Sequence, residues 1–169
     1  GYDVACEPEI NYGAGTLSKA RQWMSKFALS NADVLLPVSN FTKTECFKYL
    51  THPRDLGVVY NGADIGMFKP NNIKRGNVVL TVASGGGSSS IIKLKGLETF
   101  VKCANHLPKT EFVIVGLSEK DLNTLESEKI KTHLTNLLLM AHIPQEELIG
   151  YYQKAKVYCQ LSYRESFGM

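Results

Sequence analysis

The sequence predicts an α/β fold, a Rossmann-like parallel sheet flanked by helices. Two observations carry this. From residue 78 onward, short apolar runs alternate with stretches of helical character. The runs are apolar at consecutive positions, as strands are when helices cover both faces of a sheet. Composition agrees: of 169 residues, 44% are hydrophobic and 21% charged, which excludes a disordered or collagen-like chain. The formal net charge of +3 is too small to imply a nucleic-acid partner, and none is expected. The longest apolar runs, such as 137–141, fall well short of a membrane span. No secretory signal is expected at the start, where Asp3, Glu7 and Glu9 intrude early.

The elements follow in chain order. Residues 16–30 place Leu17, Ala20, Trp23, Met24, Phe27 and Ala28 at helical spacing, with Lys19, Arg21 and Lys26 between them. A basic amphipathic helix can lie on a membrane surface, but ordinary packing of Trp23 and Phe27 on a core is the expectation. Val34, Leu35, Leu36, Pro37 and Val38 form a short strand, although Pro37 removes a ladder donor. Thr42 and Glu45 have capping-box spacing and open a helix that runs to about Leu50. Residues 57–60 read as another strand, and Asn61-Gly62 as a turn. Residues 63–75 are polar and irregular, the best candidate for a linker.

The second part is more regular. Strands are expected at 78–83, 111–115, 137–141 and 157–161. Helices are expected at 97–105, from a Ser118 and Asp121 cap to about Lys131, and from Pro144 to about Lys156. In parallel sheets, ligands bind beyond the carboxyl ends of the strands. The loops after Ala83, Val115, Ala141 and Leu161 are therefore the candidate sites.

Cysteine and histidine carry no metal signal. Cys6, Cys46, Cys103 and Cys159 contain no C-x-x-C pair, and His52, His106, His133 and His142 have no ligand spacing. Cys103 and Cys159 lie in apolar segments and read as small core residues. A reducing cytosol suits this cysteine usage.

Two loops carry the chemistry. After the first strand of the second part come Ser84, Gly85, Gly86, Gly87 and three serines, then Lys93 and Lys95-Gly96. Glycines let a backbone approach a phosphate, and amides with a lysine can neutralise it. Neither a Walker loop nor a dinucleotide fingerprint matches the spacing. A flexible surface loop remains the alternative. After the fourth strand, Arg164 is followed by Glu165-Ser166-Phe167-Gly168 and Met169. A carboxylate there can accept hydrogen bonds from sugar hydroxyls, or it is a solvated loop acid.

In this order the motifs resemble the group 1 retaining glycosyltransferases of the GT-B type. Val58 to Asp64 (Val-Val-Tyr-Asn-Gly-Ala-Asp) with Phe68-Lys69-Pro70 resembles the family's interdomain segment. Ala32-Asp33-Val34 and Val38-Ser39 resemble the strand before it. Lys95-Gly96 is similar to the Lys-Gly of the phosphate loop, and Val113-Ile114-Val115-Gly116 to the second strand of the nucleotide domain. Glu165-Ser166-Phe167-Gly168 resembles the opening of the Glu-x7-Glu motif.

The resemblance implies two domains: 1–70, the end of an acceptor-side domain with the interdomain segment, and 71–169, the start of a nucleotide-sugar-binding domain. It implies that Lys95 and Gly96 bind the donor diphosphate and that Glu165 hydrogen-bonds the donor sugar as the catalytic-site acid. Ser166, Phe167 and Gly168 would line the sugar and phosphate pocket. Gly116 would let the nucleotide pass close to the second strand, and His142 and Ile143 would frame the base. No cofactor or bound metal is implied. The partners would be a nucleotide sugar and a glycan or lipid-linked acceptor, in the cytoplasm, with peripheral contact at the inner membrane face left open.

Three departures stand out. The family's Gly-Arg after the first strand is Ala83-Ser84 here, and Lys93 is not expected to replace the arginine. The sequence stops at Met169, before the second glutamate of the motif. The resemblance implies that the front of the first domain, with its acceptor-facing residues, would precede Gly1. The expectation is an internal piece of a larger enzyme, inactive alone, that transfers a hexose with retention of configuration. A non-catalytic nucleotide-binding module on the same sheet is the alternative.

Overall fold

The computed structural model describes residues 2–52 and 55–168. Met169, at the end of the last candidate loop, lies outside them. The chain divides into two compact units, Gly1–Ala63 with Arg164–Met169, and Asp64–Tyr163.

The second unit is built around one strand. β2 (Glu111–Val115) sends Phe112 and Ile114 into one apolar cluster and Val113 and Val115 into another. This is the two-residue alternation of a strand with both faces buried. β1 (Val78–Val82) pairs parallel to β2 from Val78 opposite Glu111 to Val82 opposite Val115. β3 (Leu137–Met140) flanks β2 on its other side, and β4 (Val157–Tyr158) flanks β1, giving the order β3-β2-β1-β4.

Helices cover both faces. α3 (Ser89–Leu94), α4 (Leu97–His106) and α5 (Glu119–Ser127) share the first cluster through Ile92, Leu97, Phe100, Val101, Ala104 and Leu125. The Phe100 ring meets Phe112 edge-on, with centroids 5.2 Å apart. α6 (Gln145–Lys154) covers the opposite face with Leu148, Tyr151 and Tyr152. Cys103 and Cys159 pack against the first cluster.

Several boundaries differ from expectation, each for a local reason. The loop expected across 84–96 contains α3, because Ile92 and Leu94 are drawn into the core. Instead of reaching Lys131, α5 stops at Ser127. Lys129 adopts a left-handed φ of 57°, and the Ile130 N–H returns to the Leu125 carbonyl at 3.0 Å, a Schellman ending. Pro144 stands just before α6 as its N-cap rather than in its first turn, and α6 ends at Lys154 rather than Lys156. The fourth strand is cut to two residues, with Leu161 beyond it exposed.

The first unit is irregular around two helices, α1 (Lys19–Asn31) and α2 (Asn40–Phe47). Val4, Cys46 and Leu56 form its buried centre, with Leu29, Leu35, Tyr49 and Leu50 against it. Neither expected strand forms. Segments 34–38 and 57–60 share a single backbone bond, from the Val59 N–H to the Pro37 carbonyl at 3.0 Å, and Pro37 has no N–H to return. The expected turn at Asn61-Gly62 lies instead at 65–67. There the Asp64 carboxylate accepts the Gly66 and Met67 N–H groups and its carbonyl the Phe68 N–H. Ser39, not Thr42, caps α2, accepting the Thr42 N–H at 3.1 Å. Thr42 is three residues inside, and Glu45 is used elsewhere. The core packing expected for α1 is absent at Trp23 and Phe27, which are 63% and 55% exposed and stack on each other 5.3 Å apart. The other side of α1 is only half-buried, with Leu29 packed against the core and Gln22 bonding the Gly15 and Leu17 carbonyls.

Gly96 is the most demanding backbone position of the second unit. Its φ is +66°, and a Cβ there would lie 2.0 Å from the Leu161 carbonyl oxygen. Gly96→Ala is therefore expected to cost at least about 2 kcal/mol from left-handed strain plus backbone overlap. Thermal unfolding followed by circular dichroism should show a melting point lower by several degrees; an unchanged value would contradict the close approach.

Candidate functional site

Four loops leave the carboxyl edge of the sheet, and they hold five of the nine expected site residues. Lys95 is the C-cap of α3, half-buried, and Gly96 starts α4. The Tyr163 N–H bonds the Leu94 carbonyl at 2.7 Å, so the Lys95 turn lies against the chain leaving β4. Gly116 follows β2 beside the end of β1, where a Cβ would stand 3.1 Å from the Ala83 carbonyl oxygen. His142 is exposed after β3, while Ile143 turns into the second cluster.

The glycine loop is not a free coil. Asp121 is fully buried, and its Oδ1 accepts the Gly87 N–H at 2.6 Å. Its Oδ2 accepts the Ser118 N–H and hydroxyl at 2.8 and 2.9 Å, and Ser118 in turn caps the Asp121 N–H. Sequence spacing gives the capping box; it does not show that the same carboxylate reaches a loop 34 residues earlier. Burial pushes the Asp121 carboxyl up, but the Ser118 and Gly87 N–H groups outweigh it and hold it below the usual carboxylate range. Lys93 pairs with Glu128 at 3.7 Å.

The other four expected residues, Glu165, Ser166, Phe167 and Gly168, belong to the first unit. Their segment is anchored there at three places. The Ser166 carbonyl accepts the Ser39 hydroxyl at 2.5 Å and the Thr42 hydroxyl at 3.2 Å. The Phe167 ring lies 6.0 Å from that of Tyr60. Arg164, only 10% exposed at its side chain, pairs with Glu7 and with Glu45 at 3.0 Å and stacks 4.8 Å over the Phe41 ring. Glu45 also accepts from Lys48 at 2.5 Å. Arg164, Glu7 and Glu45 were not expected as a group, since they are scattered over 157 positions and only folding brings them together. Among the described residues, no cluster of His, Cys, Asp and Glu could hold a metal ion.

Burial pushes the Glu45 carboxyl up, but Lys48 and then Arg164 outweigh it, so its titration falls below the usual carboxylate range. A group depressed in this way stabilises fully above its unfolded value, about pH 4.5, and loses that contribution as pH falls through the folded one. Glu45→Gln should therefore be less stable at pH 7, yet lose less than the parent between pH 5 and pH 2, in about that acid window. Parallel acid limbs in urea titrations would contradict the pairing. Arg164→Ala, which removes the cation shared by half-buried Glu7 and buried Glu45 and leaves Glu45 with Lys48 alone, should cost about 3 kcal/mol.

Known proteins supply the remaining evidence. The family model described as glycosyl transferases group 1 matches residues 68–169. The solved structure of sucrose-phosphate synthase from Thermosynechococcus elongatus superposes with a TM-score of 0.71 at 19% identity. The match covers 99% of this chain and 43% of that one, so the chain spans less than half the length of the synthase structure. No curated protein matches the chain significantly. The four-stranded parallel sheet with helices on both faces is that of a GT-B glycosyltransferase domain. With the family pattern running through more than half of its residues, the chain belongs to the group 1 glycosyltransferases.

Proposed function

We propose that the whole protein transfers a hexose from a nucleotide-sugar donor to a glycan or lipid-linked acceptor, with retention of configuration. The observation that carries this reading is the turn at Lys95-Gly96, a cation set beside the carboxyl edge of a parallel sheet in a member of this family. In this reading Lys95 neutralises the donor diphosphate, which leaves as the glycosidic bond forms. Gly96 and Gly116 leave room for the nucleotide, and His142 and Ile143 frame its base. Glu165 accepts hydrogen bonds from the donor sugar hydroxyls, with Ser166, Phe167 and Gly168 around it. In chain order the acceptor domain would take residues 1–70 and the donor domain 71–169, with 164–168 packed in the first compact unit. The protein acts in the cytoplasm and uses no cofactor beyond its substrate, and the 169 residues alone do not turn over.

A charge-assisted contact to phosphate contributes about 1.5–3 kcal/mol. Lys95→Ala should therefore weaken binding of a nucleoside diphosphate about tenfold or more in calorimetry. Unchanged affinity would remove Lys95 from the site. Glu165→Gln should abolish transfer from a panel of nucleotide sugars while the nucleoside diphosphate still binds. A protein that binds the nucleotide but transfers nothing from any donor would instead be the non-catalytic module.

Peripheral membrane contact is supported by α1. Trp23, Met24 and Phe27 are exposed along one side of a helix that carries Lys19, Arg21 and Lys26 and no acidic residue. Among the described residues, no helix is long and apolar enough to cross a membrane. Trp23 is the only tryptophan, so its emission reports on this face alone. Emission should be that of a wet indole in buffer and shift to the blue with anionic vesicles; no shift would remove the membrane contact.

A further inference from the structure

We propose that Asp121 is a positioning residue for Lys95, acting through the glycine loop and α3; the inference rests on the donor reading of Lys95. Asp121 and Glu128 stand seven residues apart, at the first turn and the C-cap of α5, and each grips the segment that leads to Lys95. Asp121 takes the Gly87 N–H, and its Oδ1 would lie 2.5 Å from a Cβ at Gly85. Glu128 accepts the Ser89 hydroxyl at 2.6 Å and pairs with Lys93. Between these grips, the Ser88 N–H bonds the Gly85 carbonyl, and the Ile92 N–H bonds the Ser88 carbonyl. Ile92 itself is buried and packs on Gly85. The chain from Gly87 to Lys93 is thus tied at Gly87, Ser89 and Lys93 to two carboxylates of α5 and its C-cap, and Lys95 follows two residues later as the C-cap of α3.

The same contacts assign two of the loop amides. The Gly87 N–H points at a buried carboxylate and the Ser88 N–H at a loop carbonyl. These groups hold the loop in shape instead of cradling an anion. These two amides are therefore not offered to the diphosphate, and Gly85 and Gly87 let the loop close over Asp121. This accounts for a glycine-rich stretch whose spacing matches no phosphate-binding fingerprint.

The test is a double-mutant cycle in the full-length protein, read by calorimetry with uridine, guanosine or adenosine diphosphate, whichever the parent binds. Asp121→Asn should weaken the diphosphate about tenfold and leave the matching nucleoside unaffected. In a Lys95→Ala background the same substitution should cost nothing further. Additive losses would overturn the proposal, as would an equal loss for the nucleoside. If Lys95→Ala alone has no effect, the donor reading of Lys95 has failed, and the positioning role toward the diphosphate falls with it. Gly85→Ala, which pushes the loop off an intact Asp121, should reproduce the Asp121→Asn result and serves if that variant does not fold. Amide hydrogen exchange should show faster exchange over residues 86–96 in either variant while β1 and β2 stay protected. Unchanged exchange there would overturn the mechanism.

Discussion

The second unit depends on the burial of β2 from both sides. Its four apolar residues, Phe112, Val113, Ile114 and Val115, are each 2% exposed or less, and they alternate between two separate clusters. A strand in this position cannot slip by one residue, because every side chain would change face. The register to β1 and β3 is therefore fixed, and with it the places where both neighbours end. Gly116, Ala83 and the His142 loop lie where they do because β2 stops at Val115. The carboxyl edge is a consequence of core packing before it is a site.

That packing explains which parts of the fold were legible in the sequence. β2 was read to the residue, since five apolar-rich positions bounded by a glycine leave little choice. β1 and β3 were one residue shorter than read, and Ser118 with Asp121 formed the capping box its spacing implied. Failures gathered where apolar residues lack a partner element. Val34, Leu36 and Val59 have the composition of strands, yet their side chains are exposed and no ladder joins them. Trp23 and Phe27 have the periodicity of a core face and satisfy each other instead. Periodicity reports the surface a segment offers and says nothing about what covers it.

The candidate site divides in a similar way. Lys95, Gly96 and Gly116 could be picked out because lysine and glycine have special chemistry or backbone freedom that a motif records. The polar anchors inside each unit could not. Asp121 serves two partners, and only the local one leaves a trace in spacing. Arg164 takes its carboxylates from Glu7 and Glu45, which are near it only after folding. Long-range polar anchoring of this kind is expensive to desolvate, and Arg164 offsets that cost with two carboxylates and the Phe41 ring.

The allegiance of residues 164–168 has a practical meaning for recombination. In chain order the segment follows β4, yet Arg164, Ser166 and Phe167 are anchored by Glu7, Glu45, Ser39, Thr42 and Tyr60. A chimera that grafts a relative's sheet by a single crossover near residue 64 would import a foreign counterpart of Arg164. Glu7 and Glu45 would then face a side chain they did not evolve with. Two junctions, one at 63/64 and one at 163/164, exchange the sheet and leave the charge cluster intact. The modular boundary of this protein is discontinuous in sequence, and shuffling experiments have to cut it twice.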